Sequence, residues 1–306
     1  MARRRKGRDI SGFVIVDKPA GTGSTDVVNK VRWAFEAKKA GHAGTLDPDA
    51  TGILVVALGE ATKVLPLLTD ALKAYDFQVR FGTATSTDDA GGDVVARSDA
   101  RPDDDALRAA LPGFTGDIMQ VPPQVSAVKV EGERAYDLAR EGVEMELAAR
   151  PLYVDSLELT DRPDPDSAHL QLVCGKGGYV RAIARDLGES LGTRAHVTAL
   201  RRLWSGPFTL DHAVTLDEIQ RLGRTPQIDD LLLPVEAGLE QVPSVQIGAI
   251  AVPRLKNGNP CDVLSTQADF GETCWAAHRG QALAIGTYRA GQFQPSRVLN
   301  RSDAGA

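Results

Sequence analysis

Apolar positions along the chain follow three patterns, and each predicts a different element. Phe13-Val14-Ile15-Val16 and Ile53-Leu54-Val55-Val56-Ala57-Leu58 are short, uninterrupted apolar runs rich in β-branched residues, which predict strands buried on both faces. Ala74–Gly82, Leu152–Leu159 and His169–Cys174 alternate between apolar and polar, the period of a strand with one buried face, and the latter two read as a pair. Val27, Val28, Val31 and Ala34 recur with helical spacing, so a helix is expected from a cap at Ser24 or Thr25 to about Ala37. Further helices are expected over Thr62–Leu72, Asp103–Leu111 and Val214–Leu222, and another follows the turn at Lys176–Tyr179. Beyond residue 240 the chain is rich in Gly and Pro, with short strands at Ala282–Tyr288 and Phe293–Leu299. That spacing predicts a small β-barrel.

Between the first two apolar runs lies the most constrained stretch, Gly41-His42-Ala43-Gly44-Thr45-Leu46-Asp47-Pro48-Asp49-Ala50-Thr51-Gly52. Pro48 disfavours helical geometry at Asp47, and Gly44 and Gly52 open backbone angles closed to other residues. A carboxylate is thereby presented from a stiff loop beside a buried strand, a good way to hold a reactive group. An isolated Asp-Pro pair would be no more than a turn.

Composition narrows the classes. At 306 residues with 42% hydrophobic content, the chain can form one large domain and a small one. No apolar run approaches the ~20 residues of a membrane helix, and the basic start Met-Ala-Arg-Arg-Arg-Lys lacks the apolar stretch of a secretory signal. Cys174, Cys261 and Cys274 are scattered, without a CxxC pair, which suits free thiols in a reducing cytoplasm and gives no zinc spacing. The net charge of -6 runs against a nucleic-acid binder, but its distribution does not. Residues 1–40 hold ten Lys/Arg against four acids, and Lys176–Arg202 hold six against two, while Ala84–Asp117 is acidic. Segregated charge can build a local basic face on an acidic protein. Residues 1–9 form a basic arm of the kind that contacts phosphates.

The loop, read on through Gly59-Glu60-Ala61-Thr62-Lys63, resembles the catalytic motif of the TruB-type pseudouridine synthases, the bacterial tRNA pseudouridine-55 synthases. Other segments carry the same resemblance. Asp17-Lys18-Pro19-Ala20-Gly21 followed by a helix is similar to the family's first motif, with Gly23 where Ser or Thr is usual. Lys176-Gly177-Gly178-Tyr179-Val180-Arg181, leading to Asp186-Leu187-Gly188, is similar to its third, with Gly178 for the usual Thr. Ala199-Leu200-Arg201-Arg202 matches its last catalytic-domain motif. The stretch from Ser126 to Gly142, with Lys129, Arg134 and Arg140, resembles a family segment at about 120–150 that clasps the RNA stem-loop.

The resemblance implies an α+β fold: a mixed, largely antiparallel sheet flanked by helices, spanning 10–240, with a PUA-like RNA-binding β-barrel over 241–306. It implies Asp47 as the catalytic aspartate, Arg181 as its partner and Tyr75 as the active-site tyrosine, with Lys18 supporting the site. It also implies substrate contacts: Leu200 and Tyr179 lining the uracil pocket, Thr45 within the catalytic loop, and His42 packing into the RNA loop.

The implied reaction breaks the N-glycosidic bond of uridine, turns the base and rejoins it through carbon, so no metal, nucleotide or redox cofactor is required. No phosphate loop, dinucleotide fingerprint or zinc spacing occurs in the sequence. One ionised carboxylate can act as the nucleophile, attacking the sugar as glycosidase carboxylates do, or the base. A guanidinium beside it favours the ionised form and can fix it through paired hydrogen bonds. The implied partner is the T-arm stem-loop of tRNA, the place the cytoplasm and the state a monomer. A non-catalytic RNA-binding or RNA-folding module is the alternative. A glycoside hydrolase would want a second catalytic carboxyl.

Overall fold

The computed structural model describes residues 7–126, 128–130, 133–135 and 145–300. Most of the basic arm and Arg140 lie outside them. The chain divides into two compact units, residues 1–69 with 204–306 and residues 70–203.

In the first unit, the strand Gly12–Lys18 pairs antiparallel with Thr51–Leu58, in unbroken register from Gly12↔Leu58 to Lys18↔Gly52. It also runs parallel to the short strand Val214–Thr215. Ala40–His42 pairs antiparallel with Val56–Leu58 along the opposite edge of that second strand. Both long strands read as continuous apolar runs because both faces are covered. Phe13, Ile15, Ile53, Val55 and Ala57 face a core completed by Phe208, Val235, Leu239, Ala282, Ile285 and Leu299. Val14, Val16, Leu54, Val56 and Leu58 face a second core, into which the helix Ser24–Ala34 turns Val27, Val28, Val31 and Ala34. The helix is shorter than the expected run to Ala37, because Glu36 takes a left-handed backbone (φ 51°) that a helix cannot continue through.

The expected helix over Thr62–Leu72 is instead a 3₁₀ turn, Gly59–Lys63, followed by the short helix Leu65–Asp70 with Pro66 in its first turn. Val214–Leu222 likewise splits into a two-residue strand and the helix Leu216–Leu222, capped by the Thr215 side chain on Glu218 N–H. The C-terminal strands form a six-stranded sheet in the order Cys261–Asp262, Gln292–Val298, Gln281–Arg289, Thr273–His278, Ser244–Gln246, Ser265–Thr266. It encloses its own core of Val245, Ile247, Leu255, Cys261, Cys274 and Phe293, as a PUA-like barrel does.

The second unit is built on antiparallel pairs. Lys73–Phe81 pairs with Ser167–Cys174 from Lys73↔Cys174 to Arg80↔Ser167. That strand pairs with Arg150–Asp164, which in turn pairs with the edge strand Gly116–Gln120. Ala195–Ser205 borders Lys73–Phe81 on its other side. The predicted alternation holds: Tyr75, Phe77, Val79 and Phe81 are buried on one face. The helix Asp104–Ala110 starts at Asp103, whose carboxylate accepts from Ala106 N–H at 2.8 Å. The helix Val180–Ser190 buries Val180, Ile183, Ala184 and Leu187.

Candidate active site

The Asp47 loop hangs from the ladder of the first unit. Ala43 N–H donates to Val55 O at 3.0 Å, extending the Ala40–His42 pairing by one residue. The chain then leaves the sheet through Gly44 (φ +84°) and returns through Gly52 (φ +92°). Between them, Asp47-Pro48-Asp49-Ala50 is a β-turn closed by Ala50 N–H to Asp47 O at 3.2 Å. Two buried side chains clamp this turn. The Lys18 ammonium, fully enclosed, donates to Pro48 O and Thr22 O at 2.7 Å and to Pro19 O at 2.9 Å, three acceptors for its three protons. Ser24 Oγ donates to Leu46 O at 2.8 Å and accepts from Leu46 N–H at 2.9 Å.

Ser24 therefore acts differently from its expected role as a helix cap. Gly23 occupies the N-cap and offers no side-chain cap, while the Ser24 hydroxyl turns to the loop. The backbone on both sides of Asp47 is thus fixed from the first strand and the first helix. Asp47 and His42 are half-buried and Thr45 is exposed, so the loop presents its functional groups at a surface while its backbone is anchored within.

The second unit carries the other sequence-selected residues. Tyr75 lies opposite Leu172 on the central strand and is 7% exposed. Leu200 is half-buried on Ala195–Ser205. Tyr179 immediately precedes the helix Val180–Ser190. Its N–H donates to Gln120 Oε1 at 2.9 Å, Gln120 Nε2 donates back to its carbonyl at 3.1 Å, and its ring packs against Val128, Ala135 and Leu147.

Arg181 is buried to 5% exposure. Its guanidinium donates to Thr87 O at 2.7 Å and Val125 O at 3.0 Å, and Asp89 lies 3.5 Å away. The Asp89 carboxylate is itself held, accepting from Thr87 Oγ1 at 2.5 Å and Gly91 N–H at 3.0 Å. The sequence reading missed Asp89, Thr87 and Gln120. The Ser/Thr/Asp-rich composition of 85–90 marked a loop, but nothing local in it points to an arginine almost a hundred residues away.

Besides Arg181, two further cations lie deep in this unit. Arg202 is fully buried, and Lys73, 4% exposed, donates to Ala71 O at 2.7 Å. Burial, reinforced by the charge of Arg202, pushes the Lys73 ammonium down to about 8. Burial pushes the facing Cys174 thiol up to about 12, so it stays a neutral, inert thiol. No group of His, Cys, Asp and Glu able to hold a metal ion occurs among the described residues.

Comparison with known proteins places the chain. The family model described as TruB family pseudouridylate synthase (N terminal domain) matches residues 32–180, and that of the tRNA pseudouridylate synthase B C-terminal domain matches residues 181–240. The chain is 62% identical over 303 residues to tRNA pseudouridine synthase B of Roseobacter denitrificans, covering 99% of this chain and 100% of the relative. It is 63% identical over 297 residues to the protein of the same name from Paracoccus denitrificans, covering 97% and 99%.

Among solved structures, an H/ACA RNP bound to a substrate RNA containing 2'-deoxyuridine includes a chain that superposes with a TM-score of 0.74 at 22% identity, over 95% of this chain and 86% of that one. The archaeal box H/ACA sRNP Nop10-Cbf5 complex gives 0.74 at 23%, over 95% and 87%. At that identity these two show a shared fold, the pseudouridine synthase fold. Full-length relatives at this level of identity, together with two family models covering residues 32–240, establish that the chain belongs to the TruB family of pseudouridylate synthases.

Proposed function

We propose that this enzyme isomerises uridine to pseudouridine at position 55 in the T loop of tRNA, with Asp47 as the nucleophile on a flipped-out uridine. The observation that carries the reading is the anchored turn. Within a chain of this family, the motif aspartate sits on a loop fixed by Lys18 at Pro48 O and by Ser24 at Leu46. Nucleophilic catalysis needs a reacting atom held within a fraction of an ångström.

In this reading the Asp47 carboxylate forms a covalent bond to the sugar or the base as the glycosidic bond breaks. The uracil turns without leaving and its C5 bonds to the sugar carbon. The bond to Asp47 breaks again, C5 gives up its hydrogen to water and N1 takes up a proton, so substrate and product balance. Arg181 orients that carboxylate, Tyr75 and Tyr179 offer flat surfaces to the base, and Leu200 gives its pocket an apolar wall. His42 fills the space the flipped nucleotide leaves, against an unstacking cost of a few kcal/mol. The named activity of the relatives supports tRNA as the substrate, and the place of action is the cytoplasm. The 241–306 sheet adds RNA contacts, and the protein works as a monomer.

The test is a T-arm hairpin carrying tritium at uracil C5. Release of tritium to water, abolished when the uridine at position 55 is replaced by cytidine, is the expected result. Binding of the hairpin without release would instead assign the chain to RNA binding or folding without chemistry.

A further inference from the structure

One buried hydroxyl of the second unit finds no partner within the described chain. Ser126 is 4% exposed, and its Oγ meets no donor or acceptor among the described residues. Burial strips a hydroxyl of water, a cost that a hydrogen bond normally offsets. Buried polar side chains nearly always find such a bond, so an orphan calls for a partner from outside the chain.

The surroundings indicate which partner. Three residues around Ser126 are tied to the two side chains read above as bordering the uridine. Gln120 exchanges two hydrogen bonds with the Tyr179 backbone, its Oε1 accepting from the N–H at 2.9 Å and its Nε2 donating to the carbonyl at 3.1 Å. The carbonyl of Val125, immediately before Ser126, accepts from Arg181 Nη2 at 3.0 Å. Val128, two residues after Ser126, packs in the cluster that includes Tyr179. Ser126 therefore stands between a contact to Arg181 and a contact to Tyr179. With the chain held on both sides, its hydroxyl is offered from a fixed place, as a group that meets a ligand must be.

We propose that Ser126 is a substrate-binding residue: its hydroxyl completes its hydrogen bonding with a polar group of the flipped uridine, on the uracil edge or the ribose 2′-OH. This rests on the functional reading above, which puts Arg181 and Tyr179 beside that nucleotide. A hydroxyl both donates and accepts, so it can serve a carbonyl, an N–H or another hydroxyl. Nothing in the sequence singles out this serine, because burial without a partner is a property of the folded chain.

The test compares full-length wild type with Ser126→Ala and Ser126→Cys on a T-arm hairpin, by tritium release, binding isotherm and thermal melt. Cysteine fills nearly the same space with only a weak donor, so it separates a lost hydrogen bond from lost packing. Both variants should melt at or above the wild-type temperature, since an unsatisfied buried hydroxyl is removed. Both should show kcat/KM and hairpin affinity lowered roughly tenfold. A serine that serves structure alone gives the reverse pattern, lowered stability with unchanged kinetics. Affinity for a hairpin with 2′-deoxyuridine at the target position identifies the partner group. There the gap between wild type and Ser126→Ala closes if the ribose hydroxyl is bound, and persists if the uracil is.

Ser126→Cys carries the test if Ser126→Ala does not fold. Folded variants with wild-type kcat/KM overturn the proposal, as does a loss in Ser126→Ala that Ser126→Cys fully restores. Failure of the functional reading looks different: wild type itself would then release no tritium, and the assignment of Ser126 to the uridine would fall with it.

Discussion

At the scale of single residues, the chain devotes buried polar groups to holding backbone rather than to meeting solvent. Tyr75 is the clearest case for separating roles. If its ring stacks on uracil, Tyr75→Phe keeps single-turnover activity, while Tyr75→Ala loses ~1–3 kcal/mol of stacking. If the hydroxyl moves a proton, both variants fail. Near-wild-type rates in both would remove Tyr75 from the site.

Lys73 gives a prediction in pH. Its folded value of about 8 lies below its ordinary 10.5, so the unfolded chain binds more protons between those limits and stability rises with pH across them. Relative to Lys73→Met, the wild-type protein should gain about 1 kcal/mol per pH unit between pH 8 and 10.5, and nothing below that window. Denaturant titrations at several pH values read this difference, and a gap independent of pH would show that Lys73 stays charged.

At the scale of elements, the anchored turn around Asp47 is the feature that sequence showed only in part. Asp-Pro with flanking glycines announced a turn of restricted shape, and the motif announced its importance. The sequence could not show that Ser24 abandons the helix cap to bind Leu46 on both sides, because Ser near a helix start ordinarily caps it. The apolar runs Phe13–Val16 and Ile53–Leu58 were readable as doubly buried strands because no polar position interrupts them. Thr62–Leu72 was harder. Its apolar spacing suits a helix, but Pro66 and the 3₁₀ turn before it leave only Leu65–Asp70 in helical form. Replacing Ser24 by Ala leaves a buried N–H and C=O of Leu46 without that hydroxyl. The expected cost is about 2–3 kcal/mol of stability, with kcat falling as the loop loosens. A Ser24→Ala protein as stable and active as wild type would show that Lys18 suffices.

At the scale of the whole molecule, the C-terminal sheet has its own core but also completes that of the N-terminal sheet. Ala282, Ile285 and Leu299 pack in the cluster of Phe13, Ile15 and Val55, and Lys63 donates to Val298 O at 2.6 Å. Ile285→Ala should therefore destabilise the unit that carries Asp47 by about 2–5 kcal/mol, measured as a lowered denaturation midpoint. A change confined to RNA affinity, with stability untouched, would mean that these strands serve only as a binding module. The central claim concerns Asp47, and Asp47→Asn tests it most directly. Asparagine keeps the size of aspartate and tolerates the same turn, but it cannot act as a carboxylate nucleophile. The measurement is tritium release from the T-arm hairpin, with a melting curve and a binding isotherm on the same preparation. The account predicts folded protein, affinity for the hairpin near that of wild type, and no release. Normal release from that folded variant would contradict it.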